Sequence, residues 1–142
     1  MTKSNSPESN FLNQPLRLPN GSVLRNRLAK AAMSEVLGTY DNHATQKHVE
    51  LYRRWAKSGI GMLITGNVMI DRRALGEPGN VVIEDESDLL LLQQWAKAAT
   101  EQGAASWVQL NQPGKQSPKG LNTPNLSPSA IPFRAGMASF FE

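Results

Sequence analysis

The segment from Ile60 to Ile70 is apolar over most of its length and shows no strict alternation of polar and apolar residues. Such a run is typical of a β-strand that is covered on both faces, as strands are in parallel sheets. A helical pattern precedes it, beginning at the N-cap residue Thr45 and ending at Ser58-Gly59. The apolar face of this predicted helix consists of Val49, Tyr52, Trp55 and Ala56.

A second helix and two further strands complete the regular pattern. Residues 87–102 predict a helix that Asp85 or Ser87 can cap. Residues 104–110 predict the strand after it, and residues 26–34 predict a strand before the first helix. The order strand, helix, strand, helix, strand makes two consecutive βαβ units, so we expect an α/β fold with a parallel sheet.

The two ends of the chain have a different character. Residues 1 to about 12 are polar and rich in Ser and Asn, and we expect them to be disordered. Residues 16–24 predict a short hairpin, because Asn20-Gly21 tolerates the positive φ angles of a tight turn. Residues 111–142 hold five of the nine prolines and show no period, so they predict a long loop.

Composition excludes several classes of protein. The absence of cysteine excludes a disulfide scaffold, a Cys-ligated zinc site and thiol catalysis. No segment is long and apolar enough for a transmembrane helix, and the polar start does not resemble a secretory signal, so we expect a cytoplasmic protein. The net charge of +3 comes from scattered basic residues, and neither a nucleic acid nor a membrane is expected as a partner.

The two histidines do not predict a metal site. His43 and His48 lie five residues apart, a spacing that does not place them on one helix face. We expect His43 in a loop and His48 on the solvated side of the first helix.

Each predicted strand ends in small or polar residues. The glycine motifs of the Rossmann fold and the P-loop are both missing from the sequence. Because ligands of parallel α/β sheets bind at the carboxyl ends of strands, Ser34 and Gln109 suit a flat heterocycle with alternating carbonyl and N–H groups, such as a flavin. The alternative is that Ser34, Asn67 and Gln109 only satisfy strand ends and loop backbone.

Four segments, in this order, carry a resemblance to a known family: Asn26–Glu35, Gly61–Asn67, Arg72–Asn80 and Gln109–Ser117. With Tyr52 and Trp55-Ala56 of the first helix, they make residues 15 to 135 resemble the old yellow enzyme family, the FMN-dependent NADH:flavin oxidoreductases. The resemblance implies the N-terminal portion of a (β/α)8 TIM barrel, with about three strands and two helices after a short hairpin.

The resemblance also implies an FMN site at the carboxyl ends of the strands. The residues at FMN-contacting positions are Ala31, Ala32, Met33, Ser34, Asn67 and Gln109. Ser34 would lie near the N5/O4 edge of the flavin, Asn67 would stand where the family has a small Gly or Ala, and Gln109 would bind the pyrimidine ring. The implied reaction passes a hydride from NAD(P)H to FMN and then to an activated alkene or another small-molecule acceptor.

The chain departs from the family in two ways. Where the family commonly has His-x-Gly-Arg, this chain has Gln112 in place of the His and Lys115 in place of the Arg. The family's His/Asn or His/His pair that binds the substrate carbonyl, its tyrosine proton donor and its phosphate-binding loops lie further along the chain, so no catalytic residue is assigned here. A complete barrel takes about 250 residues, and we expect residues 13–142 to form a partial FMN-binding domain that stops in the proline-rich loop.

Three functions stay open at this point. The first is the N-terminal part of an FMN-dependent oxidoreductase. The second is a catalytically inactive fragment that does not bind FMN tightly, and the third is a small basic nucleic-acid-binding protein. Because three strands leave sheet edges uncovered, we expect the isolated chain to be unstable or to associate, and a homo-oligomer is an open alternative.

Overall fold

A parallel sheet with two helices against one face forms the centre of the fold. The computed structural model describes residues 10–122, 124–134 and 136–141, and within these ranges no helix is long and apolar enough to cross a bilayer. Single 3-10 turns occur at Phe11–Asn13 and Gly114–Gln116. In chain order the other elements are β1 (Leu16–Arg17), β2 (Val23–Leu24), β3 (Ala29–Lys30), α1 (Gln46–Lys57), β4 (Met62–Met69), β5 (Val81–Val82), α2 (Leu89–Thr100), β6 (Ala105–Asn111) and α3 (Ala138–Phe141).

The central strand of the sheet is β4. Strand β6 runs parallel to it along one edge. The other edge is shared by β3, which places Ala29 opposite Met62, and by β5, which places Val81 opposite Val68. All of these pairings are parallel, so the predicted α/β class and its two βαβ units are confirmed.

Helices α1 and α2 cover one face of β4 and contribute the largest buried side chains. Tyr52 is fully buried and packs edge-on against Trp95, with ring centroids 5.2 Å apart. Leu63 and Val68 of β4 belong to the same apolar cluster. Because truncating a buried aromatic residue costs about 3–5 kcal/mol of stability, this packing fixes the two helices against each other, and Leu63 and Val68 join them to the sheet.

His48 is buried, so the prediction of a solvated position was wrong. Its side chain is 1% exposed, and its ring lies 4.7 Å from the ring of Trp95. Nδ1 accepts a hydrogen bond from the N–H of the N-cap residue Thr45 at 3.1 Å, as in a capping box. The reason for the burial is α2, which covers the first turn of α1 and lowers the pKa of His48 by desolvation. His43 lies in a loop, as predicted, with Nδ1 3.0 Å from the carboxylate of Asp88.

The first strand of the sheet is shorter than the sequence predicts. A strand was expected over residues 26–34, whereas β3 comprises only Ala29–Lys30. Before it, the side chain of Asn26 accepts from the N–H of Leu28 at 3.1 Å, while the carbonyl of Leu28 accepts from the N–H of Met62 at 3.2 Å. The alanines of this segment have little β preference, so the local sequence does not extend the pairing of β3 with β4 beyond Lys30.

Two stretches outside the predicted helices and strands contain regular structure. In the polar stretch after β4, Val81–Val82 forms β5, which is too short to produce a sequence period. In the stretch 111–142, Gly114–Gln116 forms a 3-10 turn and Ala138–Phe141 forms α3. Helix α2 begins at Leu89, slightly later than predicted.

The hairpin predicted over residues 16–24 is present, since β1 and β2 pair antiparallel. Of its two central residues only Gly21 has a positive φ, at 89°, and its N–H donates to the carbonyl of Leu18 at 2.9 Å. Pro19 is favoured directly after the first residue of such a turn, which shifts the turn one position towards the N-terminus. Residues 1–9 of the predicted disordered tail lie outside the described residues, and its end is part of the turn at Phe11–Asn13.

Candidate functional site

The carboxyl ends of β3, β4 and β6 meet at one edge of the sheet and bring together three polar residues from distant segments. Ser34 Oγ accepts a hydrogen bond from Asn67 Nδ2 at 3.1 Å. Asn67 in turn lies opposite Gln109 in the pairing of β4 with β6. We call Ser34, Asn67 and Gln109 the polar row. Ser34 and Gln109 are exposed and Asn67 is half-buried, so the row is open to a ligand.

The segment Ala31–Met33 lies directly against the backbone of β4 beside the polar row. Ala31 and Met33 are exposed, and Ala32 is half-buried. A Cβ atom added to Gly66 would stand only 2.3 Å from the carbonyl oxygen of Met33. The segment therefore depends on a glycine at this point of β4, because no side chain fits between the two backbones.

A β-bulge in β4 sets the direction of Asn67. The pairing of β4 with β6 shifts before Asn67, so that Thr65 and Gly66 together face one residue of β6. Leu63 and Val68 are five positions apart, yet both lie in the apolar cluster under the helices. In a regular strand such residues would face opposite sides. The bulge thus reverses the alternation and turns Asn67 away from the helices.

Thr65 stabilises the bulge through its hydroxyl, a role that the sequence did not reveal. Its Oγ1 donates to the carbonyl of Gly66 at 2.9 Å and accepts from the N–H of Gln109 at 3.0 Å. The side chain is buried. The only sequence signal is that Thr65-Gly66-Asn67 interrupts an otherwise apolar run.

A buried carboxylate lies behind the polar row. The side chain of Glu35 is 7% exposed, and its Oε1 accepts from the N–H of Gly66 at 3.0 Å and from the hydroxyl of Tyr52 at 2.5 Å. Lys30 Nζ lies 4.0 Å from the same oxygen. Sequence reasoning gave Glu35 no role, although a tyrosine on the buried face of a helix needs a hydrogen-bond partner and signals that one exists.

Burial changes the ionisation of two groups around Glu35. Desolvation lowers the pKa of Lys30, and the carboxylate of Glu35 opposes that effect. Lys30 Nζ also lies 4.6 Å from the ring centroid of Trp55, a cation–π contact. Desolvation, followed by the hydrogen bond to Glu35, raises the pKa of Tyr52 far above its ordinary value. Tyr52 therefore stays a neutral donor to the carboxylate.

The backbone directly after Glu35 is strained. Val36 has a φ of 53°, in the left-handed region, where a β-branched residue costs about 1–3 kcal/mol. Beyond it, the N–H of Gly38 donates to the carbonyl of Gly79 at 2.9 Å. Contacts on both sides, from Glu35 and from Gly79, hold Val36 in this conformation.

The two residues that replace the family's His and Arg make contacts within the C-terminal loop. Gln112 Oε1 accepts from the N–H of Gly114. Lys115 Nζ donates to the carbonyl of Ile131 at 3.2 Å and lies 4.7 Å from the ring centroid of Phe133. In this chain Lys115 therefore joins the 3-10 turn after β6 to the segment that precedes α3.

The polar row and Ala31–Met33 form a surface suited to a flat, uncharged ring system. A hydroxyl and two primary amides can each donate and accept hydrogen bonds, which matches the alternating carbonyl and N–H groups of an isoalloxazine. None of these six residues is charged, so they fit the ring of FMN rather than its phosphate. Among the described residues, no group of three or more His, Cys, Asp or Glu side chains is placed to hold a metal ion.

Known proteins resemble this chain over most of its length. Residues 11–138 match the NADH:flavin oxidoreductase / NADH oxidase family. The NADH-dependent flavin oxidoreductase iliE of Hypocrea jecorina is 37% identical over 131 residues, which cover 86% of this chain and 33% of that protein. The NADH:fumarate oxidoreductase of Klebsiella pneumoniae is 35% identical over 120 residues, which cover 83% of this chain and 13% of that protein. The chain thus spans about a third or less of the length of these curated relatives.

Solved structures share the fold. The old yellow enzyme homologue from Zymomonas mobilis has a TM-score of 0.76 at 22% identity, covering 87% of this chain and 34% of that chain. Morphinone reductase has a TM-score of 0.74 at 22% identity, covering 87% and 34%. The predicted partial TIM barrel of the old yellow enzyme type is confirmed. Since the family match spans nearly all of the described residues, the chain belongs to the NADH:flavin oxidoreductase / NADH oxidase family.

Proposed function

We propose that this chain forms the N-terminal part of an FMN site in an oxidoreductase of the old yellow enzyme type. The observation that carries the proposal is the polar row, which stands at the carboxyl edge of three parallel strands. When bound, FMN supplies the hydride-transfer chemistry, and the protein supplies binding and orientation. The electron donor in this proposal is NAD(P)H, the acceptor is an activated alkene or another small molecule, and the location is cytoplasmic.

Each residue of the site has a proposed contact. The segment Ala31–Met33 lines the ring, and Ser34 stands at its N5/O4 edge. Gln109 hydrogen-bonds the pyrimidine ring through its exposed amide. Asn67 approaches the ring where the family has a smaller residue, and its hydrogen bond to Ser34 supports this placement by aligning both side chains along one edge.

FMN titration of the chain tests the proposal. Added chain should quench the fluorescence of FMN to a stoichiometric end point. Replacing Gln109 with alanine removes one net hydrogen bond, so we expect Kd to rise about 2- to 10-fold. Gln94→Ala on the exposed face of α2 is the matched control and should bind as the unsubstituted chain does. Equal Kd values for all three proteins would contradict the assignment of Gln109.

A second candidate is a fragment that does not bind FMN tightly. Its support is the open edge of β6, where Trp107, Val108 and Leu110 are 49%, 52% and 65% exposed. A thermal melt followed by circular dichroism separates the two: a cooperative transition favours an independent FMN-binding unit, and a broad non-cooperative profile favours the fragment. Self-association through this edge stays a prediction, which sedimentation velocity tests.

The basic residue pairs do not favour nucleic-acid binding. Arg72 Nε lies 2.8 Å from the carboxylate of Glu84, and Arg73 Nη2 lies 2.9 Å from that of Asp71. Both guanidinium groups therefore have local carboxylate partners. That nucleic acid is not a partner stays a prediction, and a gel shift at low salt tests it.

A further inference from the structure

We propose that Glu35 is a positioning residue of this site, whose carboxylate anchors the segment Ala31–Ser34 to the bulge of β4. The inference rests on the proposed FMN site, because it concerns the same residues. It adds a side chain that lies behind the site and that would not touch the ligand.

The segment needs an anchor because it lies beyond the regular ladder. Pairing between β3 and β4 ends at Lys30 opposite Leu63. The residues of Ala31–Ser34 therefore lack the strand hydrogen bonds that would fix their position. Side-chain contacts must therefore fix the position of this segment.

The carboxylate of Glu35 supplies that contact from the far side of the site. One of its oxygens accepts from the N–H of Gly66 and from the hydroxyl of Tyr52, and Lys30 Nζ lies 4.0 Å away. The two hydrogen-bond donors belong to β4 and α1, and the ion-pair partner Lys30 belongs to β3. A single buried oxygen therefore joins three elements at the point where the ladder ends.

The anchor acts on both sides of Ser34. A Cβ on Gly66 would stand 2.3 Å from the carbonyl oxygen of Met33 and 2.3 Å from Glu35 Oε2. The carbonyl oxygen of Met33 and the carboxylate of Glu35 thus both lie against the same glycine. Between them, Ser34 projects the other way and meets Asn67, as alternation in an extended chain requires.

The anchor at Glu35 also maintains the strained backbone conformation of Val36. Its left-handed φ of 53° persists because Glu35 fixes the chain before it and the hydrogen bond from Gly38 to Gly79 fixes the chain after it. Without the carboxylate one of these two constraints is lost. The segment from Met33 to Val36 can then relax, and Ser34 no longer keeps its place in the polar row.

Three substitutions of Glu35 test the inference on the full chain, with Glu50→Ala on the exposed side of α1 as the control. Glu35→Ala removes the anchor. Glu35→Asp keeps the charge but shortens the reach. Glu35→Gln keeps an oxygen that can accept from both Gly66 and Tyr52.

The first readout is hydrogen exchange of the Gly66 amide without flavin. We expect exchange to be at least about 10-fold faster in Glu35→Ala and Glu35→Asp, the scale of a lost hydrogen bond to a charged group. Glu35→Gln should give a smaller increase, below about 10-fold, because its neutral oxygen accepts a weaker hydrogen bond, and the control should exchange as the unsubstituted chain does. Should Glu35→Ala fail to fold, the Glu35→Asp variant decides. Unchanged exchange in Glu35→Asp overturns the inference.

The second readout is the visible circular dichroism of bound FMN at saturation. A residue that only stabilises the fold would change the bound fraction and leave the spectrum of the saturated complex unchanged. A positioning residue changes that spectrum in Glu35→Asp and restores it in Glu35→Gln. A chain that binds no FMN, yet loses Gly66 protection in Glu35→Asp, would refute the proposed function and leave the anchoring role standing.

Discussion

Replacing Thr65 with valine should loosen the bulge of β4 without opening a cavity, because the two side chains have nearly the same shape. Valine lacks the hydroxyl that donates to the carbonyl of Gly66 at 2.9 Å and accepts from the N–H of Gln109 at 3.0 Å. Thr65 is 4% exposed, so water has little access to the groups that the hydroxyl satisfies.

The magnitude follows from these two contacts. A neutral hydrogen bond contributes about 0.5–1.5 kcal/mol net, and a buried polar group left unpaired adds a penalty of about 1–3 kcal/mol. The backbone of Gln109 is only part-buried, which limits the second contribution. We therefore expect the free energy of unfolding to fall by about 1–3 kcal/mol.

Urea unfolding followed by tryptophan fluorescence measures this change, since Trp95 is buried beside the sheet. Thr65→Ser is the matched variant that keeps the hydroxyl. Thr100→Val at the end of α2 is the control for the same exchange at an exposed site, where the hydroxyl donates to the carbonyl of Ala96 at 2.9 Å and water can replace it. Faster amide exchange of Gln109 in Thr65→Val should accompany the loss of stability. If Thr65→Val unfolds within about 0.5 kcal/mol of the unsubstituted chain, the hydroxyl does not hold the bulge.

Three further substitutions are informative. Gly66→Ala should destabilise the chain by about 1–3 kcal/mol or more in a thermal melt, because the new Cβ would stand 2.3 Å from the carbonyl of Met33; an unchanged Tm would argue against the close approach. Tyr52→Phe should lower the free energy of unfolding in urea by about 1.5–3 kcal/mol, because it removes the hydroxyl that donates to Glu35. An effect near zero would mean that this hydrogen bond does not stabilise the chain. The lowered pKa of His48 means that the unfolded chain binds its proton first, so the contribution of His48 to stability is present above about pH 6.5 and lost below it. His48→Gln should flatten this pH dependence between about pH 5 and 7, and an identical slope would contradict the assignment.

The elements with a clear period could be predicted from the sequence. The helix capped at Thr45 and the apolar strand that contains Asn67 are both present. The meeting of Asn67 with Gln109 could be predicted as well, because parallel strands bring their carboxyl ends to the same edge. These predictions succeed because each depends on a local pattern and on one general rule of sheet geometry.

The contacts behind the site could not be predicted in this way. The burial of His48 depends on α2, whose Trp95 is far along the chain. The role of Glu35 depends on Gly66, 31 positions away, and that of Thr65 depends on the N–H of Gln109, 44 positions away. Neither period nor composition carries information about such pairs, because they form only after the helices and strands have packed.

The bulge at Thr65-Gly66 makes the length of β4 as important as its composition. Leu63 reaches the helices before the bulge and Val68 reaches them after it, although their separation is odd. If β4 kept its present length and paired without the bulge, Val68 would turn away from the helices and Asn67 would turn into the core. Deleting one residue at the bulge would instead make the separation even, so that an unbroken ladder keeps Leu63 and Val68 under the helices and Asn67 on the opposite face. A single-residue insertion or deletion in β4 outside the bulge should thus disturb the site more than a conservative substitution does, because it reverses which side chains face the helices.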